Sequence, residues 1–314
     1  MKLSIVIPVF NEQDSVAALF HEIVHVLSSE STYTYEIVFI DDGSTDDTFN
    51  VVKNLYEKNS KRVKVVQFRT NFGKAAAYMK GFNLATGDYV ITLDGDGQDD
   101  PIEIPKVVKK LTEGFDVVVG WKFDRQDSFG KNLASKIFNK ILQIVFHTQL
   151  HDVNCGIKGF SNEAIKSLDI YGELHRYIPV ILSFFGYKVA EIKVNHRKRT
   201  YGKSKYSSIR IIHGLFDIFT VVAITKFRLR PLHIFGYIGM LFFFSGFFSA
   251  MYLTLLKLIY NTPIGNRPLL TFSVMLMIIG VQIVVTGLIG EYISVTNKSD
   301  RYLYSVKEVL IDEK

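Results

Sequence analysis

Two long stretches without a formal charge limit what this 314-residue chain can fold into. Between Arg230 and Lys257 lies PLHIFGYIGMLFFFSGFFSAMYLTLL, 26 residues with no Lys, Arg, Asp or Glu, and between Arg267 and Glu291 lies PLLTFSVMLMIIGVQIVVTGLIG, 23 more. Each exceeds the roughly 20 residues that a helix needs to cross the hydrocarbon core of a bilayer. A pair of buried core helices is the competing reading, but both runs are too apolar all round for a soluble fold, and only a short turn with Pro263, Gly265 and Pro268 joins them. Residues 231–295 therefore read as a transmembrane hairpin with spans at about 232–257 and 268–293.

A hairpin returns the chain to its starting side, so residues 1–230 and the tail 296–314 share a compartment. Lys226, Arg228 and Arg230 precede the first span and Lys298 and Arg301 follow the second, against Lys257 and Arg267 in the turn. Positive charge favours the cytoplasmic side, which places the large domain there, at the cell (inner) membrane. No secretory signal is expected, since Met1 leads within two residues into the strand-like LSIVIPVF. The single Cys155 excludes an internal disulfide and fits a reducing compartment. A net charge of +6, with basic residues clustered beside the spans, fits a domain held against anionic lipid and disfavours nucleic acid as a partner.

Within the first 230 residues, short Val- and Ile-rich runs at 3–9, 35–41, 63–68, 88–94 and 115–120 alternate with segments whose apolar residues recur at helical spacing. That alternation predicts a parallel α/β sheet with helices on both faces, and ligands at the carboxyl ends of its strands. The unusual residues fall at those ends: PVFNE (8–12), DDGSTDDT (41–48), RTNFGK (69–74) and DGDGQDDP (94–101). The last packs Asp94, Asp96, Asp99 and Asp100 into seven residues. Like charges at this spacing resist burial unless a hard divalent cation sits among them; the alternative is a solvated acidic turn. Neither G-x-G-x-x-G after the first strand nor a phosphate-cradling P-loop is present, because Phe68 stands where G-x-x-x-x-G-K needs glycine.

IVIPVFNE, DDGSTDDT, NFGKAAA and LDGDGQDDPIEIP, in this order, resemble the inverting glycosyltransferases of family 2 with the GT-A fold. GWKFDRQDSFGKNLASKIFN (120–139), DVNCGIKGF (152–160), ELHRYIP (173–179), HRKRTYGKSKY (196–206) and the terminal hairpin extend the resemblance over nearly the whole chain, to the polyprenyl-phosphate glycosyltransferases. It implies a GT-A catalytic domain over 1–205 with a mainly parallel sheet, a juxtamembrane amphipathic helix over 206–230, the hairpin at 231–295 and a cytoplasmic tail over 296–314.

The resemblance also implies a nucleotide-sugar donor. Pro8, Phe10, Asn11 and Glu12 would line the nucleotide, Asp41 read the base, Asp42 hold the second turn and Lys74 lie near ribose and base. Asp94, Gly95 and Asp96 match the family's D-x-D; Asp94, Asp96 and Gln98 would hold Mg2+ or Mn2+ against the diphosphate, while Asp99 and Asp100 would cap the helix that Pro101 begins. Arg199 would grip the diphosphate, with Lys203 and Lys205 near phosphates or lipid headgroups. Arg125, Ser135, Lys131 and Lys205 would take the acceptor phosphate, and Arg176 and Tyr177 line the acceptor side. The segments 131–146 and 207–227 are amphipathic and suit either the membrane interface or core packing.

The implied reaction moves a sugar, from a UDP-sugar such as UDP-glucose rather than a GDP-sugar, onto polyprenyl (undecaprenyl) phosphate, with inversion, for cell-envelope glycan modification. Asp96, Arg125, Arg199 and Asp152 are the catalytic candidates, Asp152 standing nearest to an aspartate that some relatives carry where this chain has Cys155. His175 reads equally well as a satisfied structural histidine. A homo-oligomer is expected, with a tetramer as one form. Two other readings compete. A processive polysaccharide synthase would add a Q-x-x-R-W motif, but Trp121 in GWK is the only tryptophan. A non-catalytic membrane scaffold would not need Asp94, Asp96, Gln98 and Arg199 intact.

Overall fold

The five apolar runs form strands because Val, Ile and Phe suit a pleated surface, which is buried on both faces in every run but the third. They are β1 (Lys2–Val9), β2 (Thr34–Asp41), β3 (Val63–Gln67), β4 (Tyr89–Thr92) and β5 (Val117–Lys122), and two more follow, β6 (Lys158–Ser161) and β7 (Val189–Val194). The structure is a computed structural model describing residues 1–30, 32–123, 129–146, 148–195, 197, 209–225, 231–261, 263–265 and 267–296, with backbone alone for 129–137, 209–216 and 294–295.

The sheet runs β3-β2-β1-β4-β6-β5-β7. It is mixed rather than parallel throughout, because β6 runs antiparallel to both β4 and β5. The helices between strands are α1 (Val16–Ser28), α2 (Thr48–Lys58), α3 (Lys74–Leu84) and α4 (Ile104–Thr112). From β1 the chain steps outward to β2 and β3 and then returns to β4 on the other side of β1. Right-handed crossovers in opposite directions put their helices on opposite faces. Phe20 of α1 packs 6.4 Å from Phe39, whose register partner is Ile7, whereas Gly81 of α3 lies against Val6, on the other face of β1. The gap between the carboxyl ends of β1 and β4 is therefore the topological switch point, where α/β sheets bind ligands.

After β5 come α5 (Phe129–Phe146), α6 (Asn162–Lys166), a single helical turn at Leu174–Tyr177, α7 (Ile178–Phe184) and α8 (Ile209–Thr225). A separate unit holds the two apolar helices, α9 (Pro231–Tyr260) and α10 (Pro268–Thr296), both long and apolar enough to cross a membrane. They pack closely because glycines bring the backbones together: a Cβ on Gly239 would lie 2.6 Å from the Gly280 carbonyl oxygen, and one on Gly246 2.5 Å from that of Ser273. Glu291 accepts from the Leu232 N–H at 3.1 Å and so satisfies an open donor in the first turn of α9.

Candidate nucleotide-sugar site

β2 ends on Asp41, whose side chain is completely buried. Its Oδ1 accepts from the Ser44 N–H at 3.1 Å and from the Ser44 hydroxyl, whereas Oδ2 is buried with no hydrogen-bond partner among the described residues. Asp42 accepts from the N–H groups of Phe72 (2.8 Å) and Gly73 (3.0 Å), tying the end of β2 to the turn that starts α3. Burial, and the Asp41 carboxylate beside it, push the Asp42 pKa up against those two bonds. Only glycine fits between them: Gly43 has φ +72°, and a Cβ there would lie 2.4 Å from the Thr70 carbonyl carbon.

The end of β1 closes the same turn. Asn11 Oδ1 accepts from the Thr45 N–H at 2.8 Å, the Asn11 N–H donates to Ser44 Oγ at 3.0 Å, and the Glu12 N–H donates to Thr48 Oγ1 at 2.8 Å. Pro8, Phe10, Asn11 and Glu12 are all half-buried along this edge. Across the switch point, a Cβ on Gly95 would lie 2.8 Å from Val9 Cγ1 and 3.1 Å from the Pro8 carbonyl oxygen. Ser15 Oγ donates to the Gly95 carbonyl at 2.8 Å, so the middle of D-x-D is pinned to the start of α1.

The crowded carboxylates are held by lysines. Lys74 pairs with Asp94 Oδ1, and the Tyr78 hydroxyl lies 3.5 Å from the same oxygen. Burial opposes ionisation of Asp94, but Lys74 and then Lys122 and Lys158 outweigh it and hold its carboxyl well below the usual range. Asp100 is the expected cap, accepting from the Ile102 N–H at 3.1 Å. Asp99 is not a cap: it turns inward, accepts from the Asp94 N–H at 3.1 Å and pairs with Lys122 at 3.4 Å. Burial raises its pKa, with Asp94 and Asp96 adding to the rise and Lys122 opposing it. Gly156 backs both carboxylates, since a Cβ there would lie 2.1 Å from Asp99 Oδ2 and 2.7 Å from Asp94 Cγ.

Asp96 is half-buried, and its Oδ1 accepts from the Gln98 N–H at 3.1 Å. The Gln98 carbonyl accepts from the Arg197 N–H at 3.0 Å, and the Arg197 side chain bridges Glu22 and Asp100 at 2.5 and 2.7 Å. The acidic turn is thus fixed to the chain two residues before Arg199. Asp152 is buried, with Oδ1 accepting from the Asn154 N–H at 3.3 Å. Cys155 is buried, and burial pushes its thiol up to about 12, so it is no thiolate nucleophile at neutral pH.

The structure therefore brings Asn11, Glu12, Asp41, Asp42, Lys74, Asp94, Gly95 and Asp96 to one sheet edge. Arg125, Arg199, Lys203 and Lys205 lie outside the described residues, as do the side chains of Lys131 and Ser135. Lys122, Lys158 and Gly156 are the residues the sequence left unassigned. A lysine in a strand ordinarily marks a solvated edge, and a glycine required by two distant carboxylates leaves no local signal.

Glycosyl transferase family 2 matches residues 4–169, and the GtrB C-terminal hairpin matches residues 230–295. The chain is 36% identical over 312 residues to undecaprenyl-phosphate 4-deoxy-4-formamido-L-arabinose transferase of Serratia proteamaculans, covering 98% of this chain and 94% of that protein. It is 31% identical over 319 residues to dodecaprenyl-phosphate galacturonate synthase of Rhizobium johnstonii, covering 100% and 94%. Among solved structures, glucosyl-3-phosphoglycerate synthase from Mycobacterium tuberculosis, in complex with Mn2+, UDP and glucosyl-3-phosphoglycerate, superposes with a TM-score of 0.55 at 18% identity, over 71% of this chain and 78% of that one. That likeness is one of fold, GT-A.

Proposed function

The chain belongs to glycosyltransferase family 2, as a polyprenyl-phosphate glycosyltransferase with the GtrB C-terminal hairpin, and we propose that its donor is a UDP-sugar such as UDP-glucose. Asp41 is the observation that carries this reading. Ser44 occupies one carboxylate oxygen and leaves the other buried without a partner among the described residues. A single open acceptor suits the one imide N–H of uracil; the adjacent N–H groups of guanine would call for both oxygens. A panel of UDP-glucose, UDP-GlcNAc, UDP-galactose and GDP-mannose, each labelled in the sugar, tests it: label should reach polyprenyl phosphate from a UDP-sugar. Turnover with GDP-mannose alone would overturn the assignment.

A divalent cation, Mg2+ or Mn2+, fits the donor set. Among the described residues there is no cage of three or more ligating side chains. Such a cage is unnecessary where an ion takes one or two carboxylates from the protein and the rest of its shell from substrate phosphates. Asp96 would hold it, with Asp94 and Gln98 as the further oxygens. The ion supplies charge stabilisation for the leaving diphosphate when bound. The glucosyl-3-phosphoglycerate synthase structures with Mn2+ and UDP-glucose support the pairing of metal and UDP-sugar in this fold.

Arg199 is assigned to the donor diphosphate, and Arg125, Lys131, Ser135 and Lys205 to the acceptor phosphate. A phosphate monoester is anionic near neutral pH, so its oxygen attacks the anomeric carbon from the face opposite the diphosphate without a strong base. Asp152, whose charge acts on Lys122 and Lys158, is then the one candidate if a base is needed. The amphipathic α5 and α8 would lie in the interface and bring the lipid phosphate to the cleft. The basic residues flanking the hairpin support a cytoplasmic catalytic domain at the inner membrane, working as a homo-oligomer and supplying lipid-linked sugar for cell-envelope glycan modification.

A further inference from the structure

His175 stands on the helical turn Leu174–Tyr177 that leads into α7, and no described residue gives its ring the hydrogen bond of a satisfied structural histidine. The residue is only 8% exposed, its Nδ1 is buried without a partner, and no hydrogen bond joins either ring nitrogen to a described residue. Buried polar atoms are nearly always paired, with protein, ordered water or ligand, so this nitrogen calls for a partner other than the described residues.

The surroundings say where that partner comes from. The His175 ring lies 6.2 Å from the ring of Tyr78, and the Tyr78 hydroxyl lies 3.5 Å from Asp94 Oδ1, the oxygen that Lys74 also holds. His175 is therefore one ring away from the first carboxylate of D-x-D, on the α3 side of the sheet. Lys158, paired in register with Thr92 on β4, adds a buried ammonium whose hydrogen bond goes to the Cys155 carbonyl. Burial, then the cations of Lys74, Arg176 and Lys158, keep the imidazole pKa well below its ordinary value. A neutral ring offers one N–H and one lone pair. Phosphate oxygens accept only, and would be served best by a protonated ring, which these cations oppose. A hydroxyl both donates and accepts, and so matches the neutral ring.

We propose that His175 binds a hydroxyl of the donor's sugar and thereby helps to select which sugar is transferred. The inference rests on the nucleotide-sugar reading of the site above.

The test uses the full chain in detergent, with the best-used donor of the panel, its single-deoxy analogues, and UDP alone. His175→Phe should lower kcat/KM for that donor roughly 10–100-fold, the loss expected for one hydrogen bond to a polar group. It should flatten the ranking of sugars and leave the UDP Kd, read by calorimetry, within about twofold. One deoxy analogue should be as poor with the wild type as the parent donor is with the variant, and should lose nothing further when the two are combined. His175→Gln, which keeps a donor and an acceptor, should recover part of the rate and guards against a Phe variant that does not fold. Unchanged kcat/KM and ranking in both variants would overturn the proposal. So would a fall in UDP affinity as large as the fall in kcat/KM, which would mark a purely structural role. A wild type that turns over GDP-mannose alone would instead overturn the UDP assignment, and the same comparison of variants would then be read with that donor.

Discussion

Gly156→Ala is the sharpest structural perturbation of the site, because a single methyl enters a space already taken by two carboxylates. The new Cβ would lie 2.1 Å from Asp99 Oδ2, 2.7 Å from Asp94 Cγ and 2.8 Å from Asp94 Oδ2. Neither side chain has an easy retreat: Lys74 holds Asp94, Lys122 holds Asp99, and the Asp94 N–H donates to the Asp99 carboxylate. The Gly156 carbonyl is itself fixed by Thr92 Oγ1 at 2.9 Å, so the backbone resists moving away. Overpacking of this kind costs about 1–3 kcal/mol. For a unit of this size, at about 2–4 °C per kcal/mol, that lowers the melting midpoint by roughly 2–12 °C. Function should suffer more than stability, since one displaced carboxylate, Asp94, begins the D-x-D turn. Differential scanning fluorimetry in detergent, with UDP titrations in the presence and absence of Mn2+, separates the two effects. The expected result is a lower midpoint and a larger loss of UDP affinity with metal than without it. A variant with the wild-type midpoint and unchanged metal-dependent affinity would refute the packing argument.

Asp96→Asn should nearly abolish turnover and weaken metal-dependent donor binding, because it removes the charge offered to the cation; unchanged activity in a radiolabel transfer assay would contradict the metal site. Truncation after Arg230 removes α9 and α10 but leaves every residue assigned to nucleotide and phosphates, so UDP binding should persist by calorimetry. Its turnover of polyprenyl phosphate in bilayers should fall sharply, as the effective concentration of acceptor is lost. Buried Glu36 is a stability prediction: burial alone would raise its pKa, but bonds from Ser4, Thr86 and Lys64 bring it down to about 2 from 4.5. A depressed carboxylate stabilises fully above its unfolded pKa, so about 3 kcal/mol should be lost as pH falls from about 4.5 towards 2; Glu36→Gln should flatten that part of a pH–melting profile.

The fold was legible wherever hydrophobic pattern alone decides it. Strands β1 to β5 lie within a residue or two of the apolar runs: β1, β2, β4 and β5 are buried on both faces and need an unbroken apolar stretch, while β3, at an edge, keeps only Val63, Val65 and Val66. β6 is four residues, KGFS, with a lysine and a glycine in it, and its antiparallel course depends on neighbours far away in sequence. β7, VAEIKV, is an edge strand, as β3 is at the other end of the sheet, and Glu191 and Lys193 break its apolar run. At the site, Asp41, Asp42, Asp94 and Asp96 were visible because turn residues follow strands at a shared edge. The lysines beside Asp94 and Asp99 were not, since Lys122 ends β5 and Lys158 begins the antiparallel β6, and only the strand order brings them there. Asp99 and Asp100 illustrate the limit: two adjacent aspartates before a proline look alike, yet one caps and the other turns inward to Lys122.

The central claim is that this chain joins a nucleotide sugar to a lipid phosphate with inversion. Full-length protein in liposomes containing short polyprenyl phosphate, given Mn2+ and each labelled donor in turn, tests it directly when the lipid product is isolated for mass spectrometry and anomeric NMR. The account predicts one sugar per polyprenyl phosphate, nucleoside diphosphate released in equal amount, and an anomeric configuration opposite to the donor's. Label appearing in polymer, or a lipid product that keeps the donor's configuration, would contradict it.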